Sequence, residues 1–242
     1  MKVKIDNSTY IILLISFLAG YFEYMYLFLL TIFIHESGHV IFGNIVNFKY
    51  SKIIIYPFGG LTIYNEDLNV NTNKELFALL GGITFQLLFY FLIVLLHNNS
   101  FITDHVFEII KRINILLISF NFLPILPLDG GKLLNIITDK IFNYKLSNII
   151  SIIVSFIMLI IFLIKSKTIF SIILVLFLLK CLLIEINNLK LKYNQFLLER
   201  YLNDYNFKHI KHISNINNFK RDYYHYINNI SEKKHLFDLF NC

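Results

Sequence analysis

Long apolar runs separated by short polar breaks make up most of this chain. Most of the runs reach about 18 residues, the length at which a helix crosses the hydrocarbon core of a bilayer. The membrane spans that we predict cover roughly residues 8–20, 25–46, 76–97, 111–128, 146–164 and 168–187. The pattern therefore predicts an all-α polytopic membrane protein with about six transmembrane helices.

A β-like segment lies between the second and third predicted spans. In YSKIIIYPFGGLTIYNED, two β-branched runs flank Pro57, Phe58, Gly59 and Gly60. Turn residues in this position are typical of a hairpin, so we predict a short β-hairpin or re-entrant loop. Because a hairpin edge can hold an extended peptide as an added strand, these four residues are our candidates for substrate binding. A plain cytoplasmic hairpin is the alternative.

Composition is not typical of a soluble domain with a polar surface, because 56% of the residues are hydrophobic and the mean hydropathy is +0.61. The net charge is +6, with a basic excess in residues 187–242. Basic residues accumulate on the cytoplasmic side of spans, so this segment and the N-terminal Lys2 and Lys4 both indicate cytoplasm. Lys165 and Lys167 disagree with this orientation, because they lie in the connection between the fifth and sixth spans, which the six-span topology places outside. We expect a six-span domain at 1–187 and a small cytoplasmic C-terminal tail at 188–242.

The second predicted span carries ionisable residues inside its apolar run, in the sequence HESGH. His35 and His39 are four residues apart and lie on one face of a helix, with Glu36 beside them. This is the H-E-x-x-H pattern, in which two imidazoles hold zinc and the glutamate is the general base. Each ionisable group in a span costs about 2.5 to 3.5 kcal/mol unless a partner or an ion satisfies it. We therefore predict His35 and His39 as zinc ligands and Glu36 as the catalytic base.

A catalytic zinc site needs a third protein ligand. The downstream candidates are Glu66, Asp67, Glu75 and Asp129. The first three lie in a polar loop, where a solvated carboxylate is the ordinary interpretation. Asp129 follows two prolines and precedes two glycines, residues that break a helix and allow close backbone approach. The six-span topology gives Asp129 a depth compatible with that of the histidines, although an ordinary turn at the membrane exit is the alternative.

These motifs resemble those of the site-2 protease family of intramembrane zinc metalloproteases. HESGH is similar to the first family motif, and NFLPILPLDG, residues 121–130, is similar to the second. The resemblance implies one zinc ion per chain on His35, His39 and Asp129, with Glu36 as general base. It also implies that Asn121 contacts the substrate or an oxyanion. ALLGGITFQLL resembles a third signature, Ala-Gly-Pro-x-x-Asn, only loosely.

Within that family, GYFEYMYLFLLTIFIHESGHV, the PFGG hairpin and FLLERYL resemble the stage IV sporulation protein FB-like branch. This implies hydrolysis of a peptide bond in a sporulation sigma factor precursor similar to pro-sigma-K. It also implies a multi-pass protein of the cell membrane of a spore-forming bacterium, on the mother-cell side. The expected partners are membrane lipid, the protein substrate and membrane-bound inhibitory proteins, with no nucleic acid. Many relatives have a CBS domain after the last span, and the tail here looks too short for one.

Two other functions stay open. A membrane metal transporter or sensor also uses intramembrane His and acidic residues, although it needs no general base beside its first ligand. A membrane metalloprotease with a glutamate as third ligand, Glu66 or Glu75, and a different substrate is the second alternative.

Overall fold

The computed structural model describes residues 3–165, 168–207 and 209–240. Lys2 and Lys167, which bear on the predicted orientation, lie outside these ranges. The chain divides into two compact units, residues 1–66 with 77–121 and residues 67–76 with 122–242. Helices dominate both, and each also contains a three-stranded sheet.

The first unit holds the predicted hairpin and the second predicted span. Its elements are β1 (Val3–Ile5), α1 (Asn7–Leu18), α2 (Phe22–Ile45), β2 (Tyr50–Tyr56), β3 (Gly59–Tyr64), most of α3 (Thr72–Asn98) and α4 (Asp104–Asn121). Strands β2 and β3 pair antiparallel around the turn at Pro57 and Phe58, which confirms the hairpin. β1 adds in parallel to β2, so the sheet order is β1-β2-β3.

The core of this unit joins the sheet to the helices. Ile53 and Ile55 on β2 are buried with Ile32 on α2 and with Ile110 and Leu117 on α4. Alternation along β2 turns these isoleucines to one face of the sheet. The hairpin is therefore packed on α2, the helix that carries HESGH.

The second unit contains the remaining elements. They are α5 (Asp129–Ile141), α6 (Tyr144–Lys165), α7 (Ile169–Leu202), β4 (His209–Ile213), a 3-10 turn (Ile216–Asn218), β5 (Tyr223–Ile227), β6 (Ile230–Ser231) and α8 (Glu232–Phe240). The strand order is β4-β5-β6, with the first pair parallel and the second antiparallel.

Four helices among the described residues are long and apolar enough to cross a membrane: Phe22–Ile45, Thr72–Asn98, Tyr144–Lys165 and Ser171–Leu202. The polytopic helical fold with a hairpin is thus confirmed, but the count of about six spans is not established. Helix α1 has 12 residues and rises only about 18 Å. The predicted helix at 111–128 is wrong after residue 121, because α4 ends at Asn121. Pro124 and Pro127 lack a backbone donor and cannot continue it.

The predicted tail is a folded subdomain, and a buried arginine joins it to α7. Arg200 has no exposed side chain, and its Nη1 donates to both carboxylate oxygens of Glu232 on α8, at 3.0 and 3.1 Å. Its Nε donates to Oδ1 of Asn69 at 2.6 Å. The guanidinium also lies over the rings of Phe196 and Phe219. One cation thus connects α7, α8 and the segment that leads into α3.

Candidate metal centre

Both histidines of HESGH are buried on α2, and each uses its Nδ1 atom for a hydrogen bond. Nδ1 of His35 lies 3.0 Å from Oε1 of Gln86 on α3. Nδ1 of His39 lies 3.1 Å from the backbone carbonyl of Ala78 on the same helix. Because both partner atoms only accept, these bonds assign the ring proton to Nδ1 in each case. Each Nε2 therefore carries a lone pair.

The two Nε2 atoms face each other. They are 3.2 Å apart, and the rings meet edge to face at 82°. Two lone pairs at this distance repel each other unless a proton or a cation lies between them. Two imidazoles that bind one tetrahedral zinc at about 2.05 Å place their nitrogens about 3.3 Å apart. The spacing of His35 and His39 thus fits a shared zinc ion.

Glycines on α3 keep the space beside the histidines open. A Cβ atom at Gly82 would lie 2.6 Å from Cε1 of His39 and 2.8 Å from Nε2 of His35. The neighbouring Gly81 lies against Gly38 of α2, and a Cβ at either glycine would overlap the other helix. Small residues at a crossing let two helices approach closely. The loosely matching ALLGG segment is therefore the contact that holds α3 against the HESGH helix.

Glu36 is buried between α2 and β3. Its Oε2 accepts a hydrogen bond of 2.7 Å from the hydroxyl of Thr62. A Cβ at Gly60 would overlap the carboxyl group of Glu36. Glycine at position 60 thus makes room for the carboxylate, and Thr62 fixes its orientation. His35, Glu36 and His39 are also the group of described residues that the structure brings together as potential metal ligands, with ligand atoms within 4.8 Å of one another.

The other predicted residues of the first unit lie close to this group. Nδ2 of Asn121, the last residue of α4, is 3.4 Å from Nε2 of His35. Gly60 contacts Glu36, whereas a Cβ at Gly59 would meet nothing within 4 Å. In the described sheet β3 has one neighbour, β2, so its other edge is unpaired. Substrate contacts by Asn121 and by the hairpin turn stay predictions.

Asp129 belongs to the second unit, where it is the first residue of α5 and only 7% exposed. Its Oδ1 lies 3.2 Å from Nζ of Lys132. A Cβ at Gly130 or Gly131 would overlap backbone atoms of the preceding turn, residues 122–126. Ser155 of α6 accepts a hydrogen bond of 2.9 Å from the amide of Leu126 in that turn. The turn that presents Asp129 is thus held by backbone contacts, and the role of Asp129 as a zinc ligand stays a prediction.

The three loop acids have other partners in the structure. Oε1 of Glu66 accepts from the backbone amide of Lys49, and Glu66 is not in the metal-capable group of described residues. Asp67 accepts from the hydroxyl of Tyr205 at 2.6 Å. Glu75 pairs with Arg221 at 2.7 Å. The sequence predicted solvated carboxylates here, whereas the structure gives each of these acids a specific partner.

Sequence reasoning missed the supporting residues Thr62 and Gln86. Gln86 has no exposed surface and donates from Nε2 to the carbonyl of Asn114 at 3.3 Å, so its amide is fixed on both sides. A buried glutamine within an apolar span is itself a signal, because such a group needs a partner. Nothing in the local pattern around Thr62 points to Glu36, which lies 26 positions earlier in the chain.

The chain is similar to known proteins of one peptidase class. Residues 97–165 match Peptidase family M50, a segment that includes Asn121 and Asp129 but not HESGH. Stage IV sporulation protein FB of Bacillus subtilis is 29% identical over 140 residues, which are 58% of this chain and 49% of that protein. A zinc metalloprotease of Methanocaldococcus jannaschii is 24% identical over 119 residues, 47% of this chain and 34% of that protein. The chain thus spans half or less of these relatives.

A solved structure shows the same fold. The site-2 protease from Methanocaldococcus jannaschii superposes with a TM-score of 0.59 at 24% identity, over 76% of this chain and 91% of that one. The family match at 97–165 and the histidine pair on α2 are separate observations, because they rest on different residues. Residues 97–165 thus match peptidase family M50, the fold is that of the site-2 protease from Methanocaldococcus jannaschii, and the chain is similar to stage IV sporulation protein FB of Bacillus subtilis.

Proposed function

We propose that this protein is a zinc-dependent intramembrane endopeptidase. The observation that carries the proposal is the 3.2 Å spacing of the Nε2 atoms of His35 and His39, with Glu36 in the same group. Four helices of spanning length and the relatedness to site-2 proteases support a site inside a membrane. We further propose one zinc ion per chain and a multi-pass protein with cytoplasmic termini.

Zinc in such a site supplies Lewis-acid activation of a water molecule and of the scissile carbonyl group. Glu36 accepts the proton of the attacking water and later delivers it to the leaving amine. The hydroxyl of Thr62 occupies Oε2 of Glu36, so Oε1, on the side of Gly60, is the oxygen that takes the proton. Gln86 and the Ala78 carbonyl hold the two imidazoles in the tautomer that exposes Nε2.

Asp129 completes the ligand set in this proposal. Its carboxylate is buried, and the two glycines that follow it pack against the backbone of the preceding turn. It lies in the segment that matches the peptidase family, and zinc accepts a carboxylate as third ligand. Zinc content of Asp129→Ala should fall, whereas that of Glu66→Ala and Glu75→Ala should not. Retained zinc and activity in Asp129→Ala, with loss in a glutamate variant, would favour the membrane metalloprotease with a glutamate ligand.

The substrate that we propose is a sporulation sigma factor precursor, similar to pro-sigma-K, on the mother-cell side of the membrane. The support is the resemblance to the stage IV sporulation protein FB branch and the 29% identity to that protein. β3 is an edge strand of the described sheet, and its Gly60 lies against Glu36, so a substrate strand added to β3 would lie near the catalytic base. The same resemblance leads us to propose membrane-bound inhibitory partners.

Co-expression with a candidate pro-sigma factor tests this function. The intact chain should shorten the precursor, and Glu36→Gln should leave it uncut at equal expression. A transporter or sensor would show metal-dependent transport or signalling that Glu36→Gln leaves intact, because such a protein needs no proton acceptor at this position. Precursor cleavage by Glu36→Gln at the normal rate would refute the proposed mechanism.

A further inference from the structure

A cavity of about 500 Å³ lies within the second unit, at one end of the α6–α7 hairpin. The start of α6 and the last third of α7 form two of its walls, and the 3-10 turn and the end of α8 close it. The residues proposed for catalysis lie elsewhere in the sequence and are not among those that line it. The proposed peptidase activity therefore does not account for this cavity.

The position of this cavity along the two helices corresponds to a membrane surface. The cavity lies at one end of the predicted apolar stretches: Asn148 and Ile149 are the first turn of the stretch 146–164 on α6, and Leu189 and Lys190 follow directly after the stretch 168–187 on α7. Two tyrosines line it at that level, with the rings of Tyr144 and Tyr193 stacked at 6.4 Å. Tyr144 is buried in the core of this unit, whereas Tyr193 is partly exposed, and tyrosine is enriched where a helix passes from hydrocarbon to headgroups. The cavity is thus at headgroup depth for any bilayer that the hairpin crosses.

The charge of the cavity is positive. Lys145 on α6 and Lys190 on α7 are both exposed and both line it. Nζ of Lys145 lies 3.1 Å from Oδ1 of Asn217 and 5.8 Å from the centre of the Tyr193 ring, contacts that hold the ammonium group at the cavity. None of the described lining residues is acidic. Two lysines without a lining carboxylate attract a phosphate group.

The rest of the wall is mainly apolar. Ile149 on α6, Leu189 and Leu197 on α7 and Leu239 on α8 line the cavity beside the lysines. Ile149 is 36% exposed on the surface of a predicted span, so the wall is continuous with the lipid-facing side of α6. A soluble phosphate compound gains little from such a wall, whereas the glycerol and acyl chains of a lipid bury apolar surface there.

We propose that this cavity binds an anionic phospholipid. Lys145 and Lys190 hold its phosphate, and Ile149 and Leu189 contact the start of its acyl chains. Because the 3-10 turn and α8 belong to the C-terminal subdomain, the bound lipid connects that subdomain to the membrane helices. This site is independent of the proposed peptidase function.

Titration of the full-length protein in detergent micelles with fluorescent phosphatidylglycerol tests this site. Phosphatidylglycerol should bind more tightly than phosphatidylcholine carrying the same label. Affinity should fall about fivefold for Lys145→Gln, about fivefold for Lys190→Gln and roughly 25-fold for both together. Lys234→Gln removes the same charge from an exposed position on α8 that does not line the cavity, and it should change affinity less than twofold.

Two results would overturn the proposal. One is a double variant that binds phosphatidylglycerol as tightly as Lys234→Gln does. The other is displacement of the lipid by inorganic phosphate or ATP at equal concentration, because that would make the cavity a site for soluble anions. Circular dichroism and size-exclusion profiles of the variants establish that each one is folded.

Discussion

Nε2 of His35 and Nε2 of His39 lie 3.2 Å apart on one face of α2, while the Nδ1 atom of each ring is hydrogen-bonded to α3. The protons are thus on the atoms that face α3, and the lone pairs converge. A pair of histidines that served only packing would gain nothing from this arrangement. The geometry is that of two ligands prepared for one cation, and α3 is the element that prepares them.

Replacing Gln86 tests the role of α3. Gln86→Leu removes the acceptor that holds Nδ1–H of His35, so the ring loses its fixed tautomer and orientation. Loss of such an outer partner costs about 10- to 100-fold in metal affinity. Competition with a zinc chelator measures this change. Thr84→Val, at a partly exposed position of the same helix, is the matched control, and equal zinc affinity in the two variants would contradict the assignment.

Gly82 should tolerate no side chain. Gly82→Ala puts a methyl group within 2.8 Å of both imidazoles, so we expect the ligand pair to be displaced and zinc content to fall well below that of the unmodified protein. Gly59→Ala is a control for zinc content, because a Cβ there meets nothing within 4 Å. Full zinc occupancy in Gly82→Ala would show that the pair has more room than the structure gives it.

Thr62 should act through Glu36. Thr62→Val keeps the shape of the side chain but removes the hydroxyl that donates to Oε2 of Glu36. A hydrogen bond to a charged group contributes about 1.5 to 3 kcal/mol, so kcat/KM should fall about 10- to 100-fold while zinc stays bound. Thr62→Ser restores the donor and should recover most of the activity. If Thr62 had a purely structural role, activity would be lost in both variants or in neither.

The residues of the site that could be predicted from the sequence are those whose arrangement depends only on their spacing along one helix or turn. HESGH places two imidazoles and a carboxylate on one helical face wherever the helix lies, and the PFGG break predicts the hairpin. Gln86 and Thr62 could not be predicted as partners, because their contacts depend on how α3 and β3 pack against α2. The Gly38–Gly81 contact permits the close approach of α3 to α2, and its signal was present in ALLGG but too weak to interpret alone.

The C-terminal subdomain also depends on contacts between residues far apart in the sequence, which could not be predicted. Arg200 and Glu232 are 32 positions apart, and in sequence each is one charged residue in a polar segment. Their burial depends on Phe196 and Phe219, which cover the guanidinium. A tail without a long apolar run therefore looked like an appendage, although its core is a buried ion pair surrounded by aromatic rings.

His225 makes this subdomain sensitive to acid. Its Nδ1–H donates to Glu232 at 3.1 Å and its Nε2 accepts from the backbone amide of Lys220 at 3.1 Å, so a second ring proton has no acceptor. Burial lowers the pKa of His225 below its ordinary value, and Arg200 and Lys211 add to this while Glu232 opposes it. The unfolded chain thus binds a proton more readily. The stability that the neutral form of His225 contributes to the folded subdomain is therefore fully present above about pH 6.5 and is lost as the pH falls below that value.

Thermal unfolding of the full chain from about pH 7.5 to about pH 5.5 measures this loss. His225→Gln keeps one donor and one acceptor but does not titrate, so its melting temperature should fall less over the same range. If the melting temperatures of the two proteins fell in parallel with pH, the acid sensitivity would belong to another group.

The most direct test of the zinc peptidase is one purified preparation assayed twice, for zinc per chain and for cleavage of a pro-sigma substrate. The unmodified protein should contain one zinc and cleave. Glu36→Gln should contain one zinc and not cleave, because Glu36 is the proton acceptor and His35 and His39 hold the metal. A Glu36→Gln protein that cleaves normally, or an unmodified protein that cleaves equally well after its zinc is removed, would contradict the account.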